Sequence, residues 1–136
     1  MKPLSDIINS LKVETSKDKM HMMSILSLRC GGYFGAMAAF IRKREIALIS
    51  ANLVSSAALA ELNSNPKNEM NKTINWARDK IMNTKKKYQA IMEENNLNTG
   101  NYYTGSTFLD SEYNTCKNFV PIALKFIKNN GVEILK

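Results

Sequence analysis

Residues that interrupt a chain are scarce here: 136 positions hold only three prolines and six glycines. That scarcity excludes collagen-like and Pro/Gly-rich disordered architectures. No stretch of useful length alternates apolar and polar residues with period two, so strands are not expected. There is no internal repeat and no low-complexity tract. One histidine and two cysteines are too few for a zinc cluster, and no acidic loop has calcium-binding spacing. A phosphate-binding loop, a nucleophile elbow, a dinucleotide fingerprint and paired acids around a glutamate-histidine motif are all absent. The expectation is a non-enzymatic chain with no catalytic residue, no cofactor and no metal. Acids are also in deficit, at 12 Asp and Glu against 19 Lys and Arg, a net charge of +7. That balance permits a polyanionic partner but says nothing about fold.

What is present favours helix. Apolar residues make up 44% of the chain, enough for one packed domain spanning residues 1–136. Segment one runs from Pro3 to about Val13, with Leu4, Ile7, Ile8 and Leu11 at helical spacing. Segment two, Lys17 to Ile41, is capped by Thr15 or Ser16. Its Met22, Leu26, Cys30, Tyr33, Met37 and Phe40 share one face. Ser27, Gly31, Gly35 and Ala39 recur on another, where small side chains admit a close neighbour. This run is long enough to cross a membrane, but it carries His21, Arg29 and three glycines, so a buried helix is expected and no membrane span.

Segment three, Glu45 to Leu62, carries Ile46, Ile49, Leu53, Ala57 and Ala60. Between segments two and three, Arg42-Lys43-Arg44 offers no turn residue. The alternatives are a hairpin, which is preferred, or one helix of about 45 residues, far beyond the usual length. Asn65 caps segment four and Pro66 begins it, and the helix reaches about Asn95. Its stripe is Met70, Ile74, Ala77, Ile81, Tyr88 and Ile91. After a polar loop, Asn96 to Gly105, segment five starts near Ser106 or Thr107. It contains Pro121 and ends at Asn129-Asn130-Gly131. The fold class expected is all-α: an antiparallel four-helix bundle with an additional short N-terminal helix.

Cys30 and Cys116 fall on the apolar stripes of segments two and five, so those helices are neighbours. The pair is either a disulfide or two packed thiols. A bridge would close a loop of about 85 residues, worth on the order of 4–5 kcal/mol in the chain-entropy model. Met1-Lys2-Pro3-Leu4-Ser5-Asp6 has neither the apolar core nor the cleavage site of a signal peptide. An exported or periplasmic protein is therefore expected if the pair is bridged and Met1 stands at a trimmed mature start, and a cytoplasmic one otherwise.

Three binding hypotheses follow. The leading one is a protein partner or homodimer, with Trp76, Tyr102 and Tyr103 as aromatic anchors. The second is polyanion binding, with nucleic acid as the lesser form, through Arg42, Lys43, Arg44, Lys85, Lys86 and Lys87 at one bundle end. There Glu93, Glu94, Asp110 and Glu112 offer the competing local pairing, Asp110 and Glu112 also as charges at a helix N-terminus. The third is a small apolar ligand held between the helices. Met20-His21-Met22-Met23 has ligands suited to Cu(I), but a helix points neighbouring residues to different faces.

Leu28-Arg29-Cys30-Gly31-Gly32-Tyr33-Phe34, with Asp110 and Cys116, resembles small two-cysteine helical proteins of marine bacteria. Those proteins are often exported and have no assigned activity. Cys30-x-Gly32-Tyr33 is also similar to the Cys-x-Gly-Tyr-x-x-Gly segment of helical type VI secretion immunity proteins. Here the last position is Ala36, Gly35 comes one residue early, and that family's further cysteines are missing. Both resemblances imply a helical fold, and neither implies a site residue beyond the cysteine pair.

Overall fold

The computed structural model describes all residues, 1–136, as five helices: α1 (Leu4–Ser10), α2 (Ser16–Ile41), α3 (Arg44–Ser64), α4 (Met70–Thr99) and α5 (Thr107–Asn129). The four long helices alternate in direction and form an all-α bundle. The apolar helix α2 sits at its centre, against α3, α4 and α5, while α4 and α5 make no close backbone approach to each other. The short α1 lies across α2 and α5. It ends at Ser10, earlier than the periodicity predicts, because Leu11 turns to extended backbone and only Leu4 is buried.

Local chemistry explains the boundaries. Thr15 caps α2 by accepting from the Asp18 amide, while the Asp18 carboxylate accepts from the Thr15 amide, a reciprocal capping box. The Asp18 carboxyl is held below its ordinary value by the amides of Glu14 and Thr15 and by the Thr15 hydroxyl. The break between α2 and α3 is a hairpin, and it is made by Arg42 in the left-handed region at φ 59°. Its amide closes α2 on the Ala38 carbonyl.

The start of α4 differs from expectation. Asn65 does not cap it. The Asn65 amide finishes α3 on the Glu61 carbonyl, its side chain donates to Glu61, and a turn through residues 66–68 delays the helix until Met70, with Glu69 at the cap. The far end runs past Asn95 to Thr99, and Gly100 at φ 78° terminates it. Asn95 then organises the loop from inside, donating to the carbonyls of Asn101 and Thr104 at 2.8 and 2.7 Å. Ser106 caps α5, and Pro121 lies within it.

The main core cluster includes Leu4, Leu26, Tyr33, Met37, Leu53, Tyr88, Met92, Leu109 and Phe119, and a smaller one is formed by Ala57, Ala58 and Ala77. The glycines of α2 are where neighbouring helices come closest. A Cβ on Gly32 would stand 2.4 Å from the Thr84 methyl and 3.0 Å from the Lys85 backbone nitrogen. After α5 the chain returns along α3 without regular structure. The buried Asn52 side chain pairs with both backbone groups of Leu135, at 2.9 and 3.1 Å, and Arg44 donates to the Lys136 carbonyl at 2.8 Å.

Two helices, α2 and α3, are long and apolar enough to cross a membrane by length and composition. Both are core elements of the bundle described here, and most of the apolar window of α2 is buried in it.

Candidate functional site

Two features of α5 define its surroundings: a buried polar node that fixes it to α2, and an apolar cleft beside that node. The node starts from register. Arg29 precedes Cys30 on α2, and Glu112 lies one turn before Cys116 on α5. One helix-to-helix contact therefore carries both a charge pair and a thiol pair. Cys30 and Cys116 stand at disulfide distance, with Cα atoms 5.2 Å apart.

The Glu112 side chain is fully buried and fully used. Arg29 and Tyr88 donate to Glu112 Oε1, the latter at 2.5 Å, and the Leu4 amide donates to Oε2 at 2.9 Å. Arg29 Nε also donates to the Tyr88 hydroxyl at 3.0 Å, and its Nη2 to the Lys2 carbonyl at 2.8 Å. One carboxylate thus ties together the N-terminal segment, α2, α4 and α5.

Burial works against the charge on Arg29, but Tyr88 and Glu112 outweigh it and raise its pKa. Burial, reinforced by Glu112, pushes the Tyr88 phenol well above its ordinary value of 10. Tyr33 is raised the same way, by burial and then by Tyr113 and Glu112, and its hydroxyl donates to the Tyr103 carbonyl at 3.0 Å. A network in which no buried polar side-chain atom is left without a partner is a structural device. It holds α5 at a set register on α2.

The cleft lies between the end of α2, the start of α3 and the middle of α5. Its volume is about 430 Å³, and its walls include Phe34, Met37, Ile46, Ile49, Tyr113 and Val120. Pro121 contributes to the α5 wall and brings no amide N–H to it. The charged residues lining it are Lys43 and Lys117. Lys43 is the N-cap of α3, and no side chain caps that helix. The Lys117 ammonium sits 5.8 Å from the Tyr113 ring centroid. A larger cleft of about 770 Å³ at the opposite end is lined mostly by polar and cationic residues, among them Lys17, Lys19, Asn63 and Lys125.

The residues singled out from sequence are scattered. Trp76 is half-buried against the Ala57, Ala58 and Ala77 cluster and borders a small polar hollow with Glu61, Glu69 and Lys72. Tyr102 and Tyr103 lie beyond the other end of α4, roughly 35 Å away along that helix. Tyr102 stacks on Phe40 at 4.2 Å, and Tyr103 lines the apolar cleft. Arg42, Lys43 and Arg44 form the hairpin tip. Lys85 runs its aliphatic stem past Gly35, about two turns short of Arg42, while Lys86 and Lys87 are exposed. The acids expected to pair with these cations do not. The ion pairs formed are Arg29–Glu112 and Lys72–Glu69. Asp110 instead accepts from the Gly105 amide. His21 is exposed, and no three His, Cys, Asp or Glu side chains converge.

The largest miss is Glu112, assigned from sequence to a solvated helix N-terminus. The available signal was its spacing of four from Cys116, matched to Arg29 beside Cys30. Comparison with family models, curated proteins and solved structures finds no match to this chain.

Proposed function

We propose that this protein is a non-enzymatic binding module that holds a small, largely apolar ligand in the cleft between α2, α3 and α5. The cleft itself carries the reading. It has the volume range and apolar lining of small-molecule sites, which bundles build between their helices. Its two main walls, α2 and α5, are held in register by the Arg29–Glu112 pair and the adjacent cysteines, so the site is formed before a ligand arrives. A bridged Cys30–Cys116 pair fits an exported protein in an oxidising compartment, with the helices in a bundle rather than across a membrane.

The test uses a neutral fluorescent probe, 1-aminoanthracene, with the intact protein and with an Ile46→Trp variant that fills the cleft. Saturable binding to the parent and its loss in a variant with unchanged circular dichroism is the expected result. Equal binding to both would place the ligand elsewhere.

The polyanion reading keeps one supporting observation: none of Arg42, Lys43, Arg44, Lys85, Lys86 or Lys87 has a carboxylate within ion-pair distance. It predicts binding of a single-stranded oligonucleotide that weakens steeply with salt, and no binding at low salt would end it. The homodimer reading rests on Trp76, which is only half-buried. A monomer by sedimentation at high concentration would remove it.

A further inference from the structure

We infer that the ligand of the apolar cleft is a small amphipathic anion, an alkyl or aryl carboxylate, whose acidic group lies between Lys43 and Lys117. The inference rests on the cleft being the binding site and adds the chemistry of its occupant.

Three observations carry it. The first is the composition of the lining. Its apolar wall is broken by two charged side chains of one sign, and no Asp or Glu lines it. The second is that neither ammonium group has a carboxylate partner, Lys117 having only the face of the Tyr113 ring beside it. The ion pairs of the molecule engage Arg29 with Glu112 and Lys72 with Glu69, leaving Lys43 and Lys117 without a carboxylate within 4.0 Å. The two lysines come from different walls, one at the α2–α3 hairpin and one on α5. A carboxylate between them would join the cleft's sides, whereas a neutral ligand would leave two like charges facing it.

The third is the local field. Lys43 stands between Arg42 and Arg44, at the N-cap of a helix whose first amides receive no side-chain cap. Unpaired amides and the positive end of the helix dipole add to the attraction for an anion. Glu45, the acid in the first turn of α3, is exposed and does not line the cleft. Both lysines are exposed at the mouth, so the acidic group would sit at the rim and the apolar body would run inward over Met37, Ile46 and Val120. That arrangement fits an amphiphile better than a uniformly polar anion.

The experiment compares decanoate with decanol by backbone amide shift titration on the full chain, then repeats both with Lys43→Gln/Lys117→Gln. Both substitutions are at exposed positions, and the variant's fold is checked by the same spectra. Decanoate should bind about ten-fold tighter than decanol, with shifts centred on α2, α3 and α5 around the cleft. The double variant should abolish that preference by weakening decanoate far more than decanol, and raised salt should weaken decanoate alone. Equal affinity of decanoate and decanol would overturn the anion inference and leave the cleft as an apolar site. A preference for decanoate that survives the double variant would also overturn it, because the acid would then be held elsewhere. Failure of both ligands to bind at the cleft would overturn this inference together with the proposed function.

Discussion

Helix α2 holds its neighbours in two contrasting ways. Toward α4 it presents missing side chains: Gly31 sits under Ile81, and Gly32 under Thr84 and the Lys85 backbone. Toward α5 it presents reaching groups, Arg29 and Cys30, that meet Glu112 and Cys116 across the gap. The first contact is specified mainly by steric exclusion and dispersion along the glycine face, with the Arg29–Tyr88 hydrogen bond at one end of it. The second is specified by partners that only one register satisfies. The contrast accounts for where the cleft lies. Along the glycine face α2 and α4 pack closely, whereas α5 meets α2 at Arg29, Cys30 and their partners, and the cleft opens further along, where Phe34 and Met37 face Tyr113 and Val120.

Breaking the reaching side should have the largest effect. Replacing both cysteines, Cys30→Ala and Cys116→Ala, should lower unfolding free energy by about 4–5 kcal/mol in urea titrations if the pair is bridged. Alkylation before and after reduction checks the premise, since a bridged pair labels only when reduced. Next comes Glu112→Gln, which leaves Arg29 partly buried without a counter-charge. Its expected cost is about 3–5 kcal/mol. A cost below 1 kcal/mol, by the same titration, would mean the pair is dispensable to that interface.

The packed side should respond more weakly and in a graded way. Gly32→Ala drives a Cβ into Thr84 and toward the Lys85 backbone, neither of which is the end of a flexible side chain. The expected cost is about 1–3 kcal/mol by thermal or urea unfolding. Gly31→Ala should be milder, because the atom it meets is the terminal methyl of Ile81.

Alkali acts on the polar node through its tyrosines. The raised phenols of Tyr33 and Tyr88 keep their protons in the folded chain after the unfolded chain has released them. Their contribution to stability is therefore whole below pH 10 and is lost as the pH rises above it. The slope should be up to about 1.4 kcal/mol per pH unit for each tyrosine. Tyr88→Phe should halve that slope in unfolding measured from pH 9 to 12. The smallest effect belongs to Gly35→Ala. Its Cβ would meet the Ser50 hydroxyl at 3.1 Å, and the gain in helix propensity of about 1 kcal/mol offsets the contact. Stability should move by less than about 1 kcal/mol, and a larger loss would show that the α3-facing contact at Ser50 is as exacting as the glycine contacts with α4.

The helices were legible because their signals are local. Apolar spacing places Leu53, Ala57 and Ala60 on one face of α3, and the Thr15 and Ser106 caps lie at the α2 and α5 boundaries expected of them. The α4 start was misplaced because Asn65 carries two local signals, an end for one helix and a cap for the next, and the completed hydrogen bond to Glu61 selects the first. The cysteine stripes correctly paired α2 with α5. The site was hardly legible. Tyr103 was singled out for an aromatic interface and Lys43 for a polyanion patch, yet both line the cleft whose other walls come from α2, α3 and α5.

Periodicity and residue size along one chain were enough for the class of fold, the apolar stripes of the helical segments and the small-residue face of α2, and the two cysteine stripes pointed to α2 and α5 as neighbours. Only the tertiary structure decided that Glu112 is buried rather than solvated, that Trp76 and the loop tyrosines stand far apart, and that Lys43 and Lys117 border one apolar cleft. Burial and proximity across helices depend on rotation and register between elements, and those are settled by packing rather than by any local pattern.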